Sequence, residues 1–451
     1  MIKEDKAKMK LINTTIIFPI ITSSILLSAP IEISDVLKEV KIPEEIKKKE
    51  IPLIQVDGTK VYLAPMKDNK SANRILINNF IIKDAHSIDV KQIQNLLKAY
   101  KNRKYSFTEF QNLTSLITKL YRDKGYFVAR AYIPVQTMKK GKLTIAVIEG
   151  EYGDFKLTNK SLVKDSVVQG FLDNTKLTGT LRTASVDKAS LERTMLLIND
   201  LPGVAITKAN VKPGKLVGTS DFDIVASTQA KYDGYLLGDN YGGHYTGKQR
   251  LMGGVNFNSP LSRGDKLSLS GLISKGEDLQ NGSISYSTPL NYSGLNAKLS
   301  YSDTLYHLSK DLTSLQAQGT SKTINLELRY PIIRSRLENL YMSLNLSHNK
   351  LEDETKSTND ITQKTSDVLS ISLDYDKSDV LFNIENQTKL TLSVTAGNLK
   401  FRNQDKKDDD KTGANTQGKY SKINLEVSED MYLTNALSIE SSFSYQRAFS
   451  N

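Results

Sequence analysis

Few side chains in this 451-residue sequence are placed to do catalytic or metal chemistry. The sequence has no Cys, which excludes thiolate nucleophiles, thiolate metal sites and disulfides. Its four His residues lie far apart along the chain, so they do not indicate a His-based metal or acid–base site. They are His86, His244, His307 and His348. No Ser–His–Asp arrangement can be assembled from the sequence, and we therefore expect neither an enzyme nor a cofactor.

Two short motifs resemble ligand sites, but each lacks a required part. Gly413–Lys419 has the glycine spacing of a phosphate-binding loop, but Tyr420 follows where Ser or Thr is needed. The acidic run at residues 408–410 lacks the glycine and the terminal Glu of a calcium-binding loop. We therefore predict no nucleotide or metal site, and a solvated loop at the acidic run.

The charge divides the chain into two parts of different character. The whole chain has 61 Lys and Arg residues against 50 Asp and Glu residues. Residues 1–230 carry an excess of 12 positive charges, whereas residues 231–451 carry one more acidic than basic residue. Residues 71–150 alone hold 14 basic and 5 acidic side chains. Such a basic segment either attracts acidic partners or is an ordinary solvated surface.

The N-terminus has the pattern of an export signal. Four Lys residues precede the apolar run Leu11–Leu27, and small residues follow it. Pro19 argues against the alternative, a buried core helix. We predict a signal peptide at residues 1–29 and a linker with a short helix at residues 30–72. The absence of Cys suits a bacterial envelope protein.

The next part of the chain contains two copies of a β-α-α-β-β unit, which predicts tandem small α+β domains. In the first copy, Ser106 and Glu109 have the spacing of a helix capping box. The predicted elements of this copy are a strand at Arg74–Phe80, helices at Asp89–Tyr100 and Ser106–Gly125, and strands at Tyr126–Pro134 and Lys142–Glu149. Those of the second copy are a strand at Tyr152–Leu157, helices at Ser161–Leu172 and from Ser185 to the turn at 199–203, and strands at Val204–Lys212 and Asp221–Thr228. The apolar helix faces are expected to be plain core.

From residue 231 the apolar residues recur with a period of two, and nothing convincingly helical is expected. Leu267, Leu269 and Ile273, for example, alternate with serines. About eleven such strands occur, many of them long enough to cross a bilayer at a tilt. The connections mix short ones, predicted at Pro260–Gly264 and Asn291–Ser293, with long polar loops predicted at Glu352–Lys364 and Asn403–Gln417.

This alternation fits an antiparallel transmembrane β-barrel or a soluble β-sandwich. The export signal, the Tyr residues at strand ends and the mixture of short turns with long polar loops favour the barrel. An open sheet edge in lipid leaves backbone groups unpaired. We therefore expect the eleven strands to be part of a larger, closed barrel and the chain to be truncated at its C-terminal end.

Several segments together resemble the two-partner secretion transporters of the hemolysin-activator type. The family's first polypeptide-transport-associated (POTRA) domain is resembled by Asp123–Pro134 with Gly141–Gly150. Its second POTRA domain is resembled by Leu197–Val204. The start of its barrel is resembled by Asp239–Gly243 with Thr246, Gly247 and Arg250. The resemblance implies POTRA domains at residues 73–150 and 151–229, in the periplasm of a Gram-negative bacterium.

The resemblance also implies a sixteen-stranded outer-membrane barrel, of which residues 230–451 would supply about eleven strands. Residues 31–70 would hold a helix and linker that can plug the pore. A loop with a Val-Arg-Gly-Tyr/Phe motif would follow the eleventh strand, and this sequence has no such motif.

The implied function is export of a large, unfolded secreted partner of the hemolysin or adhesin type across the outer-membrane lipid, without nucleotide or nucleic acid. An extended client would add to exposed strand edges of the POTRA domains by β-augmentation. The candidate client-binding residues are Tyr126, Val128, Arg130 and Tyr132 in the first domain and Asp221, Asp223 and Val225 in the second. Alternatives are an assembly factor for outer-membrane proteins, and a porin or adhesin with periplasmic domains.

Overall fold

The structure, a computed structural model, describes residues 55–56, 74–137, 140–178, 185–216, 218–381, 384–434 and 437–450. These residues form two compact units. The N-terminal unit holds strands β1 to β9 and helices α1 to α4, and the sheet unit holds strands β10 to β20 and helix α5. The predicted signal peptide and the predicted linker helix lie outside the described residues.

The first module of the N-terminal unit packs two helices against a small mixed sheet. Its elements are β2 (Ile75–Ile77), β3 (Asn79–Lys83), α1 (Val90–Leu97), β4 (Arg103–Tyr105), α2 (Phe107–Asp123), β5 (Arg130–Tyr132) and β6 (Lys142–Ile148). The sheet order is β3-β6-β5, with β3 parallel and β5 antiparallel to β6, while β2 and β4 form a separate pair.

Local sequence explains where these helices begin and which face they bury. The Asp89 side chain accepts a hydrogen bond from the Lys91 N–H and caps α1. The predicted capping box at α2 is confirmed, since Ser106 and Glu109 satisfy each other's backbone N–H groups. The apolar stripes of both helices meet the sheet in a core that includes Ile93, Leu113 and Leu143.

The second module repeats this plan around its own core. Its elements are β7 (Glu151–Asn159), α3 (Asp165–Thr178), α4 (Lys188–Asp200), β8 (Val204–Pro213) and β9 (Thr219–Thr228). Its sheet has the order β1-β8-β9-β7, in which β1 (Gln55–Val56) comes from the predicted linker and lies parallel to β8. Leu191 and Met195 of α4 pack on Phe222 and Ile224 of β9 in the buried core.

The sheet unit is an antiparallel meander in which each strand pairs with its neighbour in sequence. The strands are β10 (Tyr232–Asp239), β11 (Arg250–Asn258), β12 (Lys266–Ser274), β13 (Leu279–Pro289), β14 (Asn296–His307), β15 (Ala317–Arg334), β16 (Glu338–Thr355), β17 (Asp360–Leu381), β18 (Ile384–Phe401), β19 (Gly418–Tyr432) and β20 (Ser438–Ser450). No helix among the described residues is both long enough and apolar enough to cross a membrane.

Of two predicted long connections in this unit, one is wrong and the other is confirmed in its bounds but not in its structure. The predicted loop at Glu352–Lys364 is mostly strand, because β16 and β17 stay paired as far as Thr355 and Asp360. The predicted connection at Asn403–Gln417 does lie between β18 and β19, but it contains α5 (Gln404–Thr412), although no helix was expected after residue 230. The acidic run at residues 408–410 is therefore part of a helix and not the predicted loop. Both segments are rich in charged residues, so neither carries an apolar period that would reveal its structure.

Candidate functional site

The first predicted client edge is shorter than the sequence suggested. Only Arg130–Tyr132 forms a strand, and Tyr126 and Val128 lie in the preceding turn. The Tyr126 ring packs edge-on against Tyr121 in the first core. Val128 is half-buried against the second core. Tyr126 therefore packs within the first module and Val128 joins it to the second, whereas Arg130 and Tyr132 remain exposed on β5.

Strand β5 is an edge strand, but side chains already satisfy part of this side of the sheet. The Ala131 N–H donates to Thr118 Oγ1 of α2 at 3.0 Å. Beyond β5, the Gln136 side chain accepts from the Thr144 N–H and donates to the Thr144 carbonyl, both at 2.8 Å. Backbone groups that are already bonded offer less to an incoming strand, so this edge is only partly open.

The second predicted client edge is wrong. Asp221, Asp223 and Val225 lie on β9, which pairs with β8 on one side and with β7 on the other. A strand with two paired neighbours cannot accept a third. The strand β7 begins the second module, but it pairs in parallel with β9, the last strand of that module. Local sequence patterns do not show such pairing between strands that are distant in sequence.

The two acidic residues on β9 have structural partners. Asp221 Oδ1 accepts from the Asp154 N–H at 2.8 Å and so holds an irregularity in β7 between Tyr152 and Phe155. Asp223 pairs with Lys212 on β8. Both carboxylates thus stabilise the sheet across its strands.

The outer side of β8 is the edge of the second module that takes an added strand. Gln55 and Val56 of β1 pair in parallel with Asn210 and Val211. Thr207 and Lys208, further along the same strand, are exposed. Sequence reasoning missed this edge because the β1 segment has no strand pattern of its own.

A buried carboxylate lies where the two modules meet. Glu149 is 8 % exposed and directly follows β6. Its Oε1 accepts from the His86 and Ser87 N–H groups at 2.7 Å and from the Tyr121 hydroxyl at 2.8 Å. Its Oε2 accepts from the Ser87 hydroxyl at 2.7 Å and from the Ser185 hydroxyl at 3.3 Å. Glu149 therefore ties the first module to the segment that leads into α4.

These hydrogen bonds determine the charge state of Glu149. Burial alone would raise its pKa, but hydrogen bonds from the Ser87 N–H and hydroxyl, the His86 N–H and the Tyr121 hydroxyl outweigh burial, and the pKa lies below its ordinary value. Burial and the bond to Glu149 together raise the pKa of Tyr121. The pair is thus a carboxylate held by a neutral phenol. The sequence signal was an acidic residue between an apolar strand and a glycine, but no role was predicted for it.

Backbone contacts at Gly150 complete the junction. Gly150 has φ of +84°, and a Cβ there would overlap Val128 Cγ2. The Val186 N–H donates to the Gly150 carbonyl at 2.8 Å, and the Lys188 N–H donates to the Gly125 carbonyl at 3.0 Å. Only glycine fits both this conformation and this close approach.

The sheet unit has one apolar face and one polar face, as the period of two predicted. Val255, Leu269, Ile284, Tyr301 and Ile324 are register partners across β11 to β15, and all are exposed. One residue along each strand, on the opposite face, the partners are Asn256, Ser268, Ser285, Ser300 and Asn325. An exposed apolar face of this extent suits contact with lipid.

Two charge pairs cross-link strands on the polar face. Arg250 Nε and Nη2 donate to the two carboxylate oxygens of Asp239 at 2.8 and 2.9 Å, and both side chains are nearly buried. Arg329 Nη1 donates to Asp374 Oδ2 at 2.9 Å and stacks over the Tyr341 ring. In both pairs the opposite charges compensate each other on the polar face.

The motifs that lacked a required part have structural roles. Asp410 accepts from the Thr416 N–H and hydroxyl and from the Gln417 N–H, so it closes the loop after α5. Gly418 and Lys419 begin strand β19 and not a helix. In the part of the chain that the structure describes, no group of three or more His, Cys, Asp or Glu residues could hold a metal ion.

Comparison with known families identifies the class of protein. The model of the haemolysin secretion/activation protein family ShlB/FhaC/HecB matches residues 218–451, and the model of the ShlB-type POTRA domain matches residues 75–150. Because the first match spans more than half of the chain, the chain belongs to the haemolysin secretion/activation protein family ShlB/FhaC/HecB. The resemblance inferred from the sequence is confirmed.

Individual relatives agree with this family. The heme/hemopexin transporter protein HuxB of Haemophilus influenzae is 30 % identical over 348 residues, which is 76 % of this chain and 59 % of HuxB. The outer membrane transporter CdiB of Escherichia coli is 24 % identical over 263 residues, 57 % of this chain and 43 % of CdiB. The chain thus spans 59 % of the length of HuxB.

A solved structure supports the fold. CdiB from Escherichia coli superposes with a TM-score of 0.64 at 18 % identity, covering 86 % of this chain and 71 % of that chain. The predicted fold class, α+β POTRA modules followed by an antiparallel sheet of the outer-membrane barrel type, is therefore confirmed.

Proposed function

We propose that this protein is an outer-membrane translocator that captures an unfolded partner exoprotein in the periplasm and exports it. Residues 1–29 are the signal peptide and 30–72 the linker. The periplasmic POTRA domains are residues 73–150 and 151–229, and residues 230–451 supply the barrel strands. Membership of the haemolysin secretion/activation family supports this assignment. The protein acts as a transporter and not as an enzyme, and it uses no cofactor, nucleotide or nucleic acid.

Capture takes place at strand edges of the N-terminal unit. The observation that carries this step is that β8 accepts an added strand on the side away from β9. Among the described residues β1 covers only Asn210 and Val211 of that side, so a client adds beside it along the exposed stretch that includes Thr207 and Lys208. Main-chain pairing needs no particular client sequence, and side-chain contacts add selectivity. Arg130 and Tyr132, exposed on the partly open β5 edge, provide a second contact. The excess of basic side chains in residues 71–150 favours an acidic or polar client segment.

The exported chain passes along the polar face of the sheet unit. Serine and asparagine side chains such as Ser268 and Asn256 replace water as hydrogen-bond partners for an extended backbone. The opposite, apolar face meets the outer-membrane lipid. Folding of the exported client outside, worth about 5–15 kcal/mol per domain, makes the movement unidirectional without nucleotide hydrolysis.

Disulfide trapping tests capture at β8. The chain has no Cys, so each introduced thiol is unique. Thr207→Cys places a thiol on the β8 edge, and Ser227→Cys places one on the neighbouring central strand, since the two hydroxyls are 3.1 Å apart. A strand added to β8 lies about 5 Å from β8 and about 10 Å from β9, and only the nearer distance permits a disulfide.

We expect a secreted partner with single cysteines in its N-terminal segment to cross-link to Thr207→Cys and not to Ser227→Cys. Tyr132→Cys is expected to cross-link less than Thr207→Cys, because the β5 edge is partly closed. Equal cross-linking at residues 207 and 227 would contradict capture at the β8 edge.

A further inference from the structure

A shallow groove runs along the apolar face of the sheet unit, across strands β15 to β19. Its volume is about 700 Å³. Leu346 and Leu369 form its wall, and their register partners Ala396 and Ser421 form a lower floor, because their side chains are small. An apolar depression bounded by longer side chains has the shape and chemistry to hold an acyl chain.

Polar and basic side chains border the groove toward the end of the sheet that holds α5. The row that lines the groove at this end consists of the register partners His348, Asp367, Asn398 and Lys419. His348 Nδ1 lies 2.6 Å from Asp367 Oδ1. The next row consists of Asp303, Lys322, Lys350, Thr365 and Lys400.

The lysines of this border have ammonium groups available for a ligand. Lys322, Lys350, Lys400 and Lys419 are all exposed. Within the described residues none of the four makes an ion pair. The two rows contain two acidic side chains, Asp303 and Asp367, and Asp367 is in contact with the His348 ring. The border is therefore positive, which complements a phosphate group lying above an acyl chain.

We propose that the groove and its lysine border bind a phosphorylated, acylated lipid of net negative charge in the outer membrane. One acyl chain lies in the groove over Ala396 and Ser421. The lipid phosphate lies against Lys350, Lys400 and Lys419. The chain enters the sheet at Tyr232, at the opposite end of the strands, so the border faces the outer leaflet. The inference rests on the proposed outer-membrane location but not on client export. A result against lipid binding therefore leaves the export proposal standing, and a result against export leaves the lipid site standing.

The test compares two triple variants of the full chain that lose the same charge. Lys350→Gln/Lys400→Gln/Lys419→Gln removes the border, and Lys298→Gln/Lys389→Gln/Lys422→Gln removes lysines from the polar face. Binding of lipid A and of phosphatidylethanolamine to the purified protein in detergent is measured by native mass spectrometry. Each lysine near a lipid surface contributes about fivefold, so the border variant is expected to bind lipid A about a hundredfold more weakly. The control variant is expected to bind it unchanged.

Two further measurements keep the proposal falsifiable if the border variant fails to fold. Lipid A binding to the unaltered protein is expected to weaken as salt rises, because exposed charges are screened. Inorganic phosphate is expected not to displace the lipid. Equal weakening in both triple variants, no preference for lipid A over phosphatidylethanolamine, salt-independent binding, or displacement by inorganic phosphate would each overturn the proposal.

Discussion

Glu149 shows how much a single residue determines in the N-terminal unit. Its two carboxylate oxygens accept five hydrogen bonds from four residues, three of them in the first module and one, Ser185, in the segment that leads into α4. A buried carboxylate is tolerated only when its hydrogen-bonding capacity is satisfied in this way. We infer that the relative orientation of the two modules depends on this residue.

Replacing Glu149 by Gln is expected to destabilise the N-terminal unit by about 2–3 kcal/mol, because bonds to a charged acceptor become bonds to a neutral one. The readout is thermal unfolding of the full chain followed by circular dichroism at 222 nm, which reports mainly helices α1 to α4. Glu151→Gln, which changes an exposed carboxylate two residues away, is the control and is expected to shift stability by less than about 0.5 kcal/mol.

The lowered pKa of Glu149 also predicts a pH dependence. Because the folded state favours the carboxylate, its contribution is complete above the ordinary value of 4.5 and is lost as the pH falls through the lowered pKa of the folded protein. We expect the unaltered protein to lose more stability than Glu149→Gln between about pH 5 and pH 3. Parallel pH profiles for the two proteins would contradict this account.

Gly150 supplies a second residue-scale prediction. Alanine at a positive φ costs about 1–3 kcal/mol. Gly125→Ala is expected to show this cost alone, because nothing lies within 4 Å of the position of its Cβ. Gly150→Ala is expected to cost more, because its Cβ would also overlap Val128. Unfolding measurements that find equal costs for the two variants would rule out the overlap as a cause.

A double variant separates conformational strain from overlap at this position. Val128→Ala removes the methyl group that Gly150→Ala would strike. We expect Val128→Ala/Gly150→Ala to be more stable than the sum of the two single changes predicts. Strict additivity would show that Val128 and residue 150 do not meet.

At the scale of the elements, the sequence predicted the helices and strands whose apolar residues lie on one face. The capping box at Ser106, the stripe of α2 and the alternating strands of the sheet unit were all predictable, because burial on one side imposes a period. The ends of β16 and β17 were not, because both faces of those ends are polar and no period remains. Pairing between distant strands, such as β7 with β9, also leaves no local signal.

The candidate site was predictable only in part for the same reason. The motif around residues 123–134 led to Arg130 and Tyr132, which lie on an edge strand. Which strand of the second module forms an edge depends on the order of strands in its sheet. Asp221 and Asp223 were therefore assigned to an edge although β9 is central.

The two faces of β17 give an element-scale prediction. Ile371→Lys places a charge on the apolar face, where it is expected to destabilise the folded protein in lipid by about 2–4 kcal/mol. Ser372→Lys places the same charge on the polar face and is expected to cost less than about 1 kcal/mol. The measurement is urea unfolding in lipid vesicles, followed by the loss of heat-modifiable gel mobility. Equal destabilisation by both variants would contradict the assignment of the faces.

At the scale of the whole molecule, the chain combines two kinds of structure. A basic N-terminal unit presents strand edges, and an eleven-stranded sheet separates an apolar face from a polar one. Membership of the haemolysin secretion/activation protein family supports the proposal that these parts act together in transport across the outer membrane. We propose that the apolar face contacts lipid while the polar face lines the path of an exported polypeptide.

Thiol labelling along one strand tests that claim most directly. Single cysteines are placed at each position from Leu369 to Asp374 of β17 in a chain that has no other Cys, and intact outer membranes are treated with a membrane-impermeant maleimide. We predict labelling at residues 370, 372 and 374, none at residues 369, 371 and 373, and protection of the labelled set when a client is arrested during export. Uniform labelling of all six positions, or labelling that an arrested client leaves unchanged, would contradict the account.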